Sequence, residues 1–199
     1  MPRQFGTIAF TPAVKAIQEK MGSHENYERF VANGADNNRV TPDIAQFIAS
    51  MEGFYLGTVT SNGYPYIQFR GGKAGFLKVL DEKILGFADY LGNVQYISVG
   101  NLSEHDKAFL FLMDYRNRRR LKILGRARVV EDDPEILAQV QDPDYAATVE
   151  RAIVFEIEGC DWNCPQHIPV RYSQAEVEAM QARISELEKL LAEAKNSQS

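Results

Sequence analysis

The chain holds 199 residues, 45% of them hydrophobic and 25% charged, which suits one globular domain with terminal additions and argues against disorder. A net charge of -5 offers no footprint for nucleic acid, and no apolar run approaches the roughly 20 residues needed to span a bilayer. The amino terminus, MPRQFGTIAF, lacks the long apolar core of a signal peptide, so the expectation is a cytoplasmic protein that engages neither nucleic acid nor membrane.

Residues 1–52 are expected to form a helical extension. Thr11-Pro12 and Thr41-Pro42 each pair a capping hydroxyl with proline at the first helical position, where a missing N–H costs nothing. Ser23 is a third candidate cap, and Gly22, Gly34 and Gly53 are candidate stops. Ile44, Phe47, Ile48 and Met51 fall at the three-and-four spacing of a helix with one buried stripe. From Gly53 the pattern changes to short β-rich runs. Residues 54–60 and 64–70 flank Ser61-Asn62-Gly63, where Asn-Gly favours a tight hairpin. Residues 76–80 and 84–88 flank Asp81-Glu82-Lys83, and 108–114 and 119–131 flank Tyr115-Arg116-Asn117-Arg118. A helix at 134–140 precedes a last strand at 152–158. Six or more short strands joined by hairpins predict a mainly β protein, an antiparallel barrel or sandwich rather than a doubly wound sheet. Residues 173–196 predict a helix opened by a Ser173–Glu176 capping box, with Val177, Met180, Ile184, Leu187 and Leu191 in a heptad seam. The run is too short for a self-sufficient coiled coil, so it is expected to pack on its own domain or across a dimer. The organisation expected is a helical extension at 1–52, a barrel domain at 53–172, and a C-terminal helix and tail at 173–199.

Basic residues cluster at Arg116, Arg118, Arg119, Arg120 and Lys122. Positive charge concentrated locally on an acidic chain points to an anionic small ligand, the plain alternative being a solvated hairpin. Three segments carry candidate chemistry. The first, GCDWNCPQHIPVRY at 159–172, contains both cysteines, the sole tryptophan and one of three histidines. As a metal site it provides Cys160, Cys164 and His167, whereas structural zinc takes four ligands and no second ligand pair exists. A disulfide is disfavoured in a reducing compartment, and a reactive thiol would need His167 as its partner. The reading preferred is a pocket wall: the flat indole of Trp162 and the carboxamides of Asn163 and Gln166 suit a planar heterocycle with hydrogen-bonding edges. The alternative is a tryptophan that plugs one end of the barrel. The second segment, 87–102, has a strand ending near Asp89, a turn at Gly92, and Asn93 placed to cap a helix opening with Val94-Gln95-Tyr96, whose exposed N–H groups would receive an anion. In the third, 67–79, Arg70 at a strand end can grip a phosphate through two donors, and Gly71-Gly72 would let backbone approach a ligand. An anion grip, a helix terminus and an aromatic wall together fit a phosphorylated planar cofactor.

The ordered set TVTSNGYPYIQFRGG, FADYLGNVQYISVGNL, RRRLKILGRARVV and DWNCPQHIPVRY resembles the FMN-binding split-barrel proteins of the pyridoxamine 5'-phosphate oxidase-like family over about residues 40–172. The resemblance implies a six-stranded antiparallel split barrel and a homodimer with FMN in clefts at the subunit interface. It places Gln68 or Arg70 at the family's first phosphate-gripping arginine, and Asn93, Val94 and Gln95 on its phosphate loop. Arg120 falls where the oxidases use a glutamine near the flavin, beside Arg119, and Trp162 and Arg171 match a tryptophan and an arginine at the ring. Two departures stand out. The oxidases carry Arg-Lys where this chain has Val94-Gln95, so Arg70, Arg118, Arg119 and Arg120 are the available sources of positive charge. Their Arg-x-His substrate element is replaced by Gln166-His167-Ile168. The resemblance thus implies an FMN-dependent oxidoreductase of unassigned small-molecule substrate, with hydride transfer at flavin N5. Arg70, Asn93 and Gln95 would hold the phosphate, and His167 would be the catalytic proton donor. The alternatives are a flavin carrier or sensor without turnover, or the same barrel holding a deazaflavin or haem.

Overall fold

A computed structural model describes residues 4–33, 37–162 and 165–196. The chain divides into two compact units, Met1–Met113 with Arg120–Cys164, and Asp114–Arg119 with Pro165–Ser199. The first unit opens with helices α1 (Gln4–Ala9), α2 (Pro12–Lys20), α3 (His24–Ala32) and α4 (Pro42–Ser50). Thr11 and Thr41 cap α2 and α4 as their sequences predict, each Oγ1 accepting from the N–H three residues on, while Ser23 makes no side-chain cap. Gly22 ends α2 at φ +72, but α4 ends at Met51 and Gly53 begins a strand. Gly34 lies outside the described residues.

Seven strands follow: β1 (Gly53–Val59), β2 (Pro65–Gly71), β3 (Lys78–Val79), β4 (Ile84–Tyr90), β5 (Lys107–Asp114), β6 (Arg119–Val130) and β7 (Val149–Trp162). Helices α5 (Ile97–Glu104) and α6 (Pro134–Val140) interrupt them. The sheet order is β2-β1-β5-β6-β7-β4-β3. The fold is therefore the expected mainly β, antiparallel split barrel with helices before and after it. Seven strands match the seven runs read from the residues, one more than the six that the resemblance implies, and the run expected at 76–80 shrinks to the two residues of β3, which pair with Gly86 and Leu85 of β4. Two boundaries also move: β4 runs on to Tyr90, and the last strand spans 14 residues, which puts Trp162 on a strand rather than in a loop.

Local chemistry explains these elements. Residues 60–64 close the β1–β2 hairpin as a three-residue turn, with Gly63 at φ +87 and Thr60 N–H donating to Tyr64 O at 2.9 Å. Strand β4 is buried at five consecutive positions, the apolar run Leu85–Ala88 and then Asp89, whereas edge strand β2 alternates between exposed and half-buried. Phe54 meets Phe87 edge to face at 5.0 Å and stacks on Phe76 at 5.9 Å, and α4 lays Ile44, Phe47 and Ile48 onto the same core. At Gly125 the β6–β7 register shifts, and a Cβ there would stand 2.0 Å from Glu156 O, so only glycine fits the bulge. No helix among the described residues is long and apolar enough to cross a membrane.

The second unit carries helix α7 (Gln174–Asn196) and the turn at Asp114–Arg119. The predicted capping box forms: Ser173 N–H donates to Glu176 Oε2 at 2.8 Å, and Glu176 N–H donates to Ser173 Oγ at 3.3 Å. Arg116 ion-pairs with Glu176, and the Arg171 guanidinium lies 4.6 Å above the Tyr115 ring.

Candidate functional site

Edge strand β2 presents Ile67 and Phe69 outward, 67% and 60% exposed, and turns Tyr66, Gln68 and Arg70 toward a cleft of about 190 Å³. The opposite wall is the end of β4, where the register with β7 shifts between Asp89 and Tyr90, followed by the loop that leads into α5. Glu150, at the start of β7, completes the lining.

Asp89 is the electrostatic centre of this cleft. Its side chain is 5% exposed, and such a carboxylate needs partners to offset its lost hydration. It has two: Arg70 Nη1 at 2.5 Å from Oδ1, and Arg151 Nη1 at 3.3 Å from Oδ2. Arg151 is the residue directly opposite Asp89 in the β4–β7 ladder, so sheet register itself delivers this ion pair. Arg151 also reaches Glu131 at 3.0 Å and Glu150 at 3.5 Å. Burial alone would lower the pKa of Arg151, but Glu150 and Asp89 outweigh it and hold the guanidinium above its ordinary value. Arg70 keeps one donor in reserve. Its Nε–H is buried with no acceptor.

The loop at 91–96 corrects the predicted helix start. Helix α5 begins at Ile97, not Val94, and Asn93 forms a local turn in which its Oδ1 accepts from Gln95 N–H at 3.2 Å. Val94 and Tyr96 both adopt left-handed backbone, at φ 51 and 52, a costly state for a β-branched and an aromatic side chain. Side-chain contacts fix part of this geometry. The Tyr96 hydroxyl donates to Glu150 Oε1 at 2.9 Å, its ring lies 5.0 Å from the Arg151 guanidinium, and the bond to Glu150 is the main reason its pKa is raised. Beside it the Ser98 hydroxyl, buried on α5, donates to Gln68 Oε1 at 2.9 Å and sets the orientation of that amide.

The structure thus brings Gln68, Arg70, Asp89, Asn93, Val94 and Gln95 into one cleft. Other predicted positions lie elsewhere. Gly71 is glycine for packing: a Cβ would meet the Phe69 ring at 2.8 Å and Glu52 O at 3.1 Å. Trp162 does not line this cleft; it pairs with Leu121 across β6–β7 and sets its indole edge-on to Phe47 at 4.9 Å. Arg120, on β6, does not line it either, and its Nε–H is buried with no acceptor. Arg119, Gln166, His167 and Arg171 belong to the second unit, where His167 is exposed at φ 62. Asn163 and Cys164 lie outside the described residues. The Cys160 thiol is pushed up to about 12 by burial and then by Asp161, far from the range of a reactive thiolate. Sequence reasoning missed Glu150, Arg151 and Ser98. The available signal was Glu150-Arg151 at the head of the apolar run 152–155: charges that enter a core strand require partners.

A family model described as Pyridoxamine 5'-phosphate oxidase matches residues 40–184. No curated protein matches the chain. Among solved structures, a candidate pyridoxamine 5'-phosphate oxidase of Lactobacillus delbrueckii is 22% identical, with 62% of this chain and 94% of that chain covered and a TM-score of 0.49. An FMN-binding protein of Syntrophomonas wolfei is 13% identical, with 76% and 97% covered and a TM-score of 0.48. HupZ of Group A Streptococcus is 14% identical, with 67% and 99% covered and a TM-score of 0.49.

Proposed function

The chain belongs to the pyridoxamine 5'-phosphate oxidase family, and from that premise we propose that it is an FMN-binding oxidoreductase acting on a small molecule. In this reading the cleft between β2, β4 and the loop at 91–96 holds the phosphate end of the cofactor, and a second copy of the chain completes the site. The observation that carries it is the buried, unpartnered Nε–H of Arg70 on the cleft wall. A guanidinium has five donors, and a phosphate offers the charged acceptors that this one lacks. Asp89 anchors the other side of the same guanidinium and so orients it, while Arg151 supplies a second positive charge behind Asp89.

Size and surface support a shared site. A volume of about 190 Å³ falls short of the roughly 300–1,000 Å³ that encloses a drug-sized ligand, so one chain accommodates the anionic end and leaves the ring to be covered by its partner. The outer face of β1 and β2 exposes Tyr55, Val59, Ile67 and Phe69 together, an apolar patch suited to a homodimer contact.

The flavin, when bound, supplies hydride transfer at N5. The protein's own residues bind and orient: Arg70 and the amide of Asn93 hold the anion, and Ser98 fixes Gln68 toward the ligand. His167 is assigned the proton exchanged with substrate, since imidazole is the side chain suited to that task near neutral pH.

Titration of flavin-stripped protein with FMN and with riboflavin tests the reading. FMN binds more tightly than riboflavin, and Arg70→Ala weakens FMN by roughly 10- to 100-fold, the worth of one charged hydrogen-bonded grip, with little change for riboflavin. No binding of either flavin, or equal loss for both, overturns it. His167→Ala is expected to retain FMN and to lose flavin reduction by NADH or NADPH.

A further inference from the structure

Helix α7 is 23 residues long, about 34 Å at 1.5 Å per residue, and buries none of its residues. Its apolar side chains are nevertheless strictly placed. With Val177 at heptad position a, the seam reads Val177, Ile184 and Leu191 at a, and Met180, Leu187 and Ala194 at d. Val177, Met180, Ile184, Leu187 and Leu191 are all 41–56% exposed, a continuous apolar stripe that Leu190 flanks at position g, 52% exposed. A solvated helix gains nothing from such a stripe, so the pattern calls for a partner helix with the same repeat.

We propose that this partner is α7 of a second copy of the chain, paired parallel and in register. Three features select that occupant and that orientation. First, β-branched residues at two a positions with Leu187 at d are the combination that favours a two-stranded parallel coil. Second, in a parallel pair each g residue faces the following e residue of the partner, which sets Arg183 against the partner's Glu188 on both sides of the seam. Third, an antiparallel pair centred on Ile184 and Leu187 would match Gln181 with the partner's Glu188 and Arg183 with the partner's Leu190, and forms no opposite-charge pair. Within one chain Arg183 already binds Glu186 at 2.6 Å through Nη1, and its fork retains donors for a second carboxylate. Three heptads are marginal alone, so the pairing draws on the high effective concentration that a dimer of the first unit creates. To that extent it rests on the homodimer proposed above, and it is independent of the cofactor.

Single cysteines read the geometry directly. Met180→Cys and Leu191→Cys lie near opposite ends of the seam, and Ala182→Cys at position f faces outward. In the parallel pair, Met180→Cys and Leu191→Cys each join to their own counterpart under mild oxidation and double the mass on a non-reducing gel, while Ala182→Cys and the unmodified protein, with its own two cysteines, do not. In the antiparallel pair the like cysteines are 11 residues apart along the axis, about 16 Å, which is beyond disulfide reach. Absence of both cross-links overturns the proposal whether the protein sediments as a dimer or a monomer, and the monomer removes the homodimer reading as well. Cross-linking at all three positions also overturns it, since unspecific encounter explains that result. Cross-links at Met180→Cys and Leu191→Cys in a protein that binds no flavin would uphold the pairing and sink the proposed function alone.

Discussion

Helix α4 spans nine residues and buries three of them; helix α7 spans 23 and buries none. Their local rules are alike. Each starts at a hydroxyl cap whose oxygen accepts a backbone N–H, from Ile44 in one and Glu176 in the other, and each carries apolar residues three and four apart. The difference is what lies beside them. The stripe of α4 meets Phe54, Leu56 and the rest of the barrel core, while that of α7 faces solvent within its own chain. Periodicity therefore specifies that a face wants covering, and only the surroundings specify what covers it.

The contrast can be broken by substitution. Phe47→Ala on α4 removes a 3% exposed ring and is expected to cost about 3–5 kcal/mol, read from the urea midpoint. Leu187→Ala on α7 is expected to move that midpoint by less than about 0.5 kcal/mol at low protein concentration. Equal losses would show that α7 belongs to the folding core. Asp89→Ala extends the test to the cleft: with Arg70 and Arg151 left facing each other without their shared carboxylate, stability falls by about 3 kcal/mol, and FMN binding weakens with it. A variant as stable as the parent would mean that neither guanidinium depends on Asp89.

Caps give a smaller and sharper reading. Thr41→Ala is expected to lower the global midpoint by about 1 kcal/mol, because α4 unfolds with the core, whereas Ser173→Ala lowers helical circular dichroism without moving that midpoint. A separate reading, confined to alkaline pH, is a titration signature of the buried side. Burial lifts the Cys160 thiol from its ordinary 9.0 to about 12, so the folded state favours the neutral thiol. Its contribution to stability is complete below pH 9 and is lost as the pH rises toward 12. In a Cys164→Ser background, Cys160→Ala should flatten that alkaline decline, and iodoacetamide should label Cys160 only on unfolding. Prompt labelling of the native protein at pH 8 would place the thiol at the surface.

Much of this was legible in the residues, for definite reasons. The Thr-Pro caps, the Asn-Gly turn and the Ser173–Glu176 box act over three or four residues, and all formed as read. The strand register was not legible, since pairing Asp89 with Arg151 depends on residues 62 positions apart. The 93–96 loop misled for a related reason. Asn93 is equally suited to cap a helix or to close a local turn, and the contacts of Tyr96 with Glu150 and Arg151, supplied by a distant strand, accompany the second outcome.

By itself the sequence determined which segments are helices and strands, which faces seek burial, and that positive charge collects at residues 116–122, because each follows from side-chain chemistry acting over a few residues. Tertiary structure alone decided that Arg70, Asp89 and Arg151 form one linked group, and that Trp162 packs on Phe47 instead of lining their cleft. The physical reason is that buried charges accept only the few partners that the sheet register brings within about 3 Å, and register is a property of the whole barrel.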